Sequence, residues 1–262
     1  MKEKLFIIKI GGNIIDDEKK LGDFLKDFAS LSSKKILVHG GGKKATKLAA
    51  SLGIEQKMIE GRRITDKKTL EIVIMVYAGE INKQIVALIQ SNNCPAIGLS
   101  GADGNLIQAH KRIHPAIDYG YAGDIDRIND ELLTFLLEKG LVPVIAPITH
   151  DKKAQLLNTN ADTIAQEIAK SMTKHYDVHL IYSFEKNGVL MDVNDEKSVI
   201  SQLEPTSYAR LKAEQKIFAG MIPKLDNAFE AIQKGVKEVT IGRAEELNGL
   251  IAHLSGTKIS NG

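Results

Sequence analysis

Several lysines stand where local structure gives them little reason to be. Lys9 closes the apolar run "KLFIIKI" immediately before Gly11 and Gly12. On a strand of period two it shares a face with Ile7, so its stem packs while its ammonium reaches past the strand end. Lys224 follows Pro223 at the start of the helical segment "IPKLDNAFEAIQKG". A cation there faces the positive end of the helix dipole, at a cost of roughly 0.3–1 kcal/mol unless an anion is near. Lys43 and Lys44 repeat the pattern after Gly40, Gly41 and Gly42. A snorkelling lysine at a sheet edge and a salt-screened lysine on a helix account for these positions without function. A bound phosphate, cradled by the glycine-rich turns, would reverse the sign of each cost.

The segment "LLNTNADTIAQEIAKSM" supplies an acid. Thr159 or Asn160 can cap the helix it opens, and Asp162 then lies in the first turn, where a carboxylate is favoured. As a capping cluster this is ordinary. As chemistry it makes Asp162 the organiser of two lysines and Asn158 a ligand donor. Arg63 in "EGRRITD" is either a solvated loop arginine or a bidentate partner for a carboxylate.

"ILVHGGGKKATKLAA" matches the dinucleotide pattern G-x-G-x-x-G/A through Gly40, Gly42 and Ala45, and Glu60 lies where a ribose-binding acid is wanted. That reading needs a second buried strand leading to Glu60, and "QKMIE" is too short and polar to supply it. No Walker A loop is present, since Lys43 is followed by Lys44. The seven histidines form no H-E-x-x-H or similar ligand set, and no serine has a G-x-S-x-G setting. Cys94, the single cysteine, excludes an internal disulfide and a cysteine-based zinc site, and reads as a small buried side chain.

Short β-rich runs must position these residues: "KLFIIKI", "KILVH", "PAIGLS", "LVPVIAP", "DVHLIYS" and "EVTIG". Helical patterns alternate with them at 18–31, 43–52, 67–91, 129–139, 161–173 and 223–234. This predicts an α/β fold with a mostly parallel central sheet sandwiched by helices, a three-layer αβα arrangement. Ligands then collect beyond the carboxyl ends of the strands, where Gly11, Gly12, Gly40 to Gly42, Gly101 and Gly242 fall. Residues 110–128 break the rhythm and read as a hairpin insertion. With 262 residues and a net charge of +2 the chain buries a full core and shows no basic footprint for nucleic acid. The apolar run before Gly11 is too short for a signal peptide or a membrane span, so a cytoplasmic protein is expected.

Five segments in this order resemble the amino acid kinase family: "KIGG" at 9–12, "HGGG" at 39–42, "GRRIT" at 61–65, "NTNAD" at 158–162 and "AGMIPK" at 219–224. The likeness extends to "GTKI" at 256–259 and is greatest to the branch acting on acylated glutamate. It implies ATP-dependent phosphorylation of the γ-carboxylate of N-acetyl-L-glutamate, the second step of arginine biosynthesis. The N-succinyl substrate, a sister kinase or a non-catalytic amino-acid sensor are alternatives. Carried over, Lys9 and Lys224 stabilise the transferring phosphoryl group and Asp162 holds both lysines. Gly41, Gly42, Arg63 and Asn158 bind the acylglutamate. Gly11, Gly12, Ser183, Asn187, Gly188, Gly220 and Met221 form the ATP side, with Mg²⁺ carried largely by ATP's phosphates and no metal-ligating residues of the chain. Here the sequence departs from the family: Ser183 stands where an aspartate is expected, and Ala219 replaces the first glycine of "GGM".

The same resemblance implies one kinase domain over 1–262, with an N-lobe at 1–175 holding the acylglutamate and the dimer contact, and a C-lobe at 176–262 holding ATP. "LEIVIMVYA" is apolar nearly all round if helical, which offers a second face for a two-fold contact. Arginine-inhibited members carry an extra N-terminal helix, whereas Lys9 follows only eight residues here. A homodimer insensitive to arginine is therefore expected, with no nucleic-acid or membrane partner.

Overall fold

The computed structural model describes residues 2–59, 61–192, 194–217 and 221–261. Strand β1 (Lys4–Ile10) runs into a glycine turn and a single helical turn, α1 (Gly12–Ile15). Helix α2 (Glu18–Ser30) is started by Asp17, whose side chain accepts from Lys20 N at 3.0 Å, and buries Leu21, Phe24, Leu25 and Phe28 as one stripe. Strand β2 (Lys34–His39) then leads through the triple glycine into α3 (Gly42–Ser51). A two-stranded ribbon follows, β3 (Met58–Ile59) with β4 (Arg62–Arg63).

One long helical rod spans Lys67–Ser91: α4 (Lys67–Val73), a π-helical stretch (Ile74–Ile81) and α5 (Asn82–Ser91). By length and composition it could cross a membrane, but Ile72, Val73, Val76, Tyr77, Ile81, Ile85 and Ile89 are buried within the chain. After β5 (Ala96–Leu99), β6 (Ile107–Lys111) and β7 (Gly123–Ile128) form the expected hairpin insertion. Helix α6 (Asp130–Glu138), β8 (Val142–Ile145) and a second hairpin, β9 (Ile148–His150) with β10 (Leu156–Asn158), come next. The remainder is α7 (Ala161–Met172), β11 (Asp177–Phe184), β12 (Gln202–Leu203), α8 (Pro205–Ala213), α9 (Ile222–Gln233), β13 (Glu238–Arg243), α10 (Leu247–Ile251) and β14 (Thr257–Ile259).

The central sheet has the order β12-β14-β13-β11-β1-β2-β8-β5. All pairings are parallel except β13 with β14. Strands buried on both faces read as continuous apolar runs, as β1 does. Its alternation divides the core. Leu5 and Ile7 face a cluster with Ile164, Ile168 and Leu225, whereas Phe6, Ile8 and Ile10 face Leu25, Ile81 and Ile85. Lys9 continues the first face and His39 the second face of the neighbouring strand, which fixes what each can meet.

Three features differ from the sequence reading. The hairpin at 148–158 was not anticipated, because its turn is built on Lys152 and Ala154 in the left-handed region, not on glycine. The helix over 67–91 is continuous but π-wound in its middle. Its apolar side chains are mostly consumed inside the chain, and Met75, 55% exposed, stands outward among Glu71, Gly79 and Glu80.

Candidate active site

A cavity of about 230 Å³ opens beyond the carboxyl ends of β1 and β2. It is lined by Lys9, Gly11, Gly12, Gly41, Gly42, Arg63, Asn158 and Asp162 among others, which brings together most of the polar residues singled out in the sequence. It is smaller than the pockets of drug-sized ligands and suits a compact polar acid. Gly101 and Gly242 do not line it. A Cβ on Gly242 would lie 2.4 Å from Leu250 Cδ2, and one on Gly101 2.9 Å from Ile107 Cβ, so packing accounts for both.

At the cavity's inner end, Asp162 holds two cations. Lys9 Nζ lies 2.7 Å from its Oδ1 and Lys224 Nζ 3.1 Å from its Oδ2. Asp162 sits in the first turn of α7, where Asn160 is the cap, accepting from Asp162 N at 2.9 Å and Thr163 N at 3.1 Å. Thr159 is engaged instead with Thr149 Oγ1 at 2.8 Å. Burial pushes the Asp162 carboxyl upward, but the charges of Lys9 and Lys224 outweigh it and hold the group well below the usual carboxylate range. Asp162 is therefore an anion with both oxygens committed, not a proton acceptor. Lys224 lies in the first turn of α9, whose N-cap makes no side-chain hydrogen bond, and its ammonium rests 5.6 Å from the Phe184 ring centre.

Two helix starts border the cavity. Neither α1 at Gly11 nor α3 at Gly41 has a side-chain cap, so both are sites where an anion is welcome. Arg63, 8% exposed, is anchored: Nη2 donates to Gly42 O at 2.9 Å and Thr46 Oγ1 at 3.0 Å, and Nη1 donates to Gln56. Asn158 Nδ2 donates to Thr65 Oγ1 at 3.0 Å.

The residues expected on the nucleotide side are dispersed. Ser183, the penultimate residue of β11, lies beside the glycine turn, its carbonyl 3.9 Å from where a Gly11 Cβ would stand. Asn187 Nδ2 donates to Glu196 O at 3.2 Å. A Cβ on Gly188 would come within 2.7 Å of Thr257 Oγ1 and 2.9 Å of Val199, so that glycine is explained by packing inside the chain. Met221 packs against the core beneath α9. None of these four lines the cavity. Gly220, expected beside them, lies outside the described residues.

Sequence reasoning missed Tyr77, which lines the cavity from the π-helical stretch. A Cβ on Gly41 would lie 2.8 Å from Tyr77 Cδ1 and 2.5 Å from Ile81 Cδ1, so only glycine lets the loop pass beneath that stretch. Among the described residues no three His, Cys, Asp or Glu converge to hold a metal ion, and Asp162 is occupied by lysines.

The sequence model of the amino acid kinase family matches residues 4–243. The acetylglutamate kinase of Bacteroides fragilis is 53% identical over 248 residues, 95% of each chain. That of Cytophaga hutchinsonii is 54% identical over 250 residues, again 95% of each. Among solved structures, smu.665 from Streptococcus mutans UA159 superposes with a TM-score of 0.81 at 27% identity, covering 98% of this chain and 99% of that one.

Proposed function

Because the chain belongs to the amino acid kinase family, we infer that it transfers the γ-phosphoryl group of ATP to the γ-carboxylate of N-acetyl-L-glutamate. The product is N-acetylglutamyl 5-phosphate, and the step belongs to arginine biosynthesis. The observation that carries the reading is the Lys9–Asp162–Lys224 bridge at the end of a cavity ringed by glycine turns. A carboxylate oxygen attacks the γ-phosphorus in line, the bond to the β–γ bridging oxygen breaks, and ADP departs with that electron pair. The nucleophile is already ionised, so no base is required and positioning with charge stabilisation does the catalysis.

Lys9 and Lys224 are assigned to the equatorial phosphoryl oxygens, with Asp162 keeping the two ammonium groups apart and aimed. Gly11 and Gly12 offer N–H groups to the terminal phosphate. Arg63, Asn158, Gly41 and Gly42 are assigned to the acylglutamate, and Ser183, Asn187, Gly188, Gly220 and Met221 to ATP. The lining of the cavity falls wholly within residues 9–162, which supports an acylglutamate-binding lobe at 1–175 and an ATP-binding lobe at 176–262. Mg²⁺ would be carried by the phosphates of ATP itself and would supply charge neutralisation there.

The enzyme is further proposed to be cytoplasmic and to form a homodimer through the outer face of the Lys67–Ser91 rod, where Met75 is exposed and Ile74 and Ala78 are half-buried. An ATP-consumption assay with N-acetylglutamate, N-succinylglutamate and no acceptor tests the central reading. Turnover with N-acetylglutamate is the expected result, and its absence with all acceptors would overturn it. Light scattering tests the dimer.

A further inference from the structure

Strand β2 ends in a histidine that the chemistry above does not use. His39 is fully enclosed, yet both ring nitrogens are engaged. Nδ1 lies 2.7 Å from Gly40 O, and Nε2 lies 3.2 Å from Asn82 Nδ2. A carbonyl oxygen can only accept, so Nδ1 carries the proton. Nε2 is then bare and accepts from the Asn82 amide. The amide is oriented independently, because Asn82 Nδ2 also donates to Val144 O at 2.9 Å while Oδ1 accepts from Lys83 Nζ at 3.0 Å. Reversing either the amide or the tautomer would set donor against donor in a dry interior. Burial draws the pKa of His39 down to about 4, the Gly40 hydrogen bond opposing and the charge of Lys83 assisting, so the ring is neutral near pH 7.

The consequence falls on the glycine loop. No peptide bond among the described residues is cis, so the Gly40 carbonyl and the Gly41 N–H point in opposite directions. With the carbonyl held toward the enclosed imidazole, the Gly41 N–H is turned the other way, and Gly41 lines the cavity. Asn82 is the first residue after the π-helical stretch whose Tyr77 and Ile81 bear on Gly41. One irregular stretch of helix thus bears on the loop from two sides, and π-turns are frequent at functional sites.

We propose that Asn82 and His39 are positioning residues for the acylglutamate subsite: Asn82 selects the His39 tautomer, and His39 fixes the Gly40–Gly41 peptide so that its N–H is presented to the substrate. The proposal rests on the kinase reading of the cavity, and its test separates the two. ¹⁵N-histidine NMR of the ligand-free protein near pH 7 should show His39 neutral with its proton on Nδ1. A proton on Nε2, or an imidazolium, would overturn the proposal whatever the enzyme's substrate. Kinetically, His39→Asn keeps an amide donor at the Nδ1 position, whereas His39→Gln puts its amide at the Nε2 position and loses the donor to Gly40. His39→Gln should raise the KM for N-acetylglutamate about five- to tenfold, His39→Asn should stay within about threefold of the parent, and the KM for ATP should hold in both. An ATP KM that moves equally, or a His39→Gln variant with the parent's constants, would show a merely structural histidine. Absence of turnover in the parent would count against the kinase reading alone, since the NMR result stands without it.

Discussion

Arg63 and Gly42 hold one another before any substrate arrives: the guanidinium Nη2 donates to the glycine carbonyl at 2.9 Å, with Thr46 Oγ1 a further acceptor at 3.0 Å. The arginine is thus preorganised at the start of α3, the helix whose start borders the same cavity. On the proposed function it binds the acylglutamate in ground and transition states alike. Arg63→Lys, which loses the planar fork, should raise the KM for N-acetylglutamate by about tenfold or more while the KM for ATP hardly changes. Steady-state kinetics with each substrate varied in turn decides it, and a rise confined to ATP would place Arg63 on the wrong substrate.

Lys9 and Lys224 differ from Arg63 in being paired to a common carboxylate at the inner end of the cavity. The proposed mechanism sets them against charge that develops during transfer. Either substitution by alanine should lower kcat by ~10²-fold or more, with smaller effects on KM. Near-parental turnover in both variants is incompatible with the mechanism.

Gly98, in the strand β5, has a structural neighbour that explains it. A Cβ there would stand 2.0 Å from Asn82 Oδ1 and 2.8 Å from Lys83 Nζ. Gly98→Ala must displace an amide that is buried and bonded on three sides, so a loss of roughly 1–3 kcal/mol is expected. Denaturant unfolding should register it, and a raised KM for N-acetylglutamate should accompany it. A variant as stable as the parent would mean that Asn82 has room to move.

His39 makes stability depend on pH. Its folded pKa, drawn to about 4 by burial, lies below the 6.5 of the exposed ring. Between these values the unfolded chain binds the extra proton, so this contribution is complete above pH 6.5 and declines as pH falls toward 4. The loss is up to about 3 kcal/mol. Unfolding free energies measured from pH 7 to 4 should fall less steeply in His39→Asn than in the parent; parallel curves would remove the residue from the account.

Glu238, which does not line the cavity, adds a second loss on acidification in a lower pH window. It accepts from His179 Nδ1 at 2.8 Å, and His253 Nε2 lies at 3.2 Å and Lys258 Nζ at 3.4 Å. Burial raises its pKa, but the His179 hydrogen bond and charge, with His253 and Lys258, bring it to about 2 from an ordinary 4.5. Its contribution is present above pH 4.5 and lost as pH falls through 2, amounting to roughly 2–3 kcal/mol. Glu238→Gln should therefore be the less stable protein at pH 7, with the gap closing below pH 4.5. A gap that is constant across that range would refute an electrostatic origin.

What could be read from the sequence followed periodicity and local chemistry. The alternation of "KLFIIKI" placed Lys9 on the face of Ile7, and that face packs on α7, the helix carrying Asp162. The order of strands and helices, the hairpin insertion and the glycine turns beyond the strand ends were legible for the same reason. Other features depend on distant parts of the chain. The π-winding at Ile74–Ile81 matches no period in the sequence, and it coincides with the packing of Tyr77 and Ile81 over Gly41. At Gly188 the space a side chain would need is filled by Thr257 and Val199, both remote in sequence. Asn82 did leave a signal, as an amide within a largely apolar helix, but its partners His39 and Val144 come from two other strands.

The strand that carries Lys9 is enclosed by neighbours along its whole length, with β2 on one side and β11 on the other. In the language of exchange with solvent, its amides are released only when the sheet itself parts, so they should be among the last to take up deuterium. The ammonium that the proposed mechanism sets against the phosphoryl group is therefore referenced to the slowest-opening segment of the molecule. Surface loops can fluctuate on either side without shifting that reference. Substrate exchange and positional accuracy, which place conflicting demands on a small enzyme, are in this way assigned to different levels of the stability hierarchy.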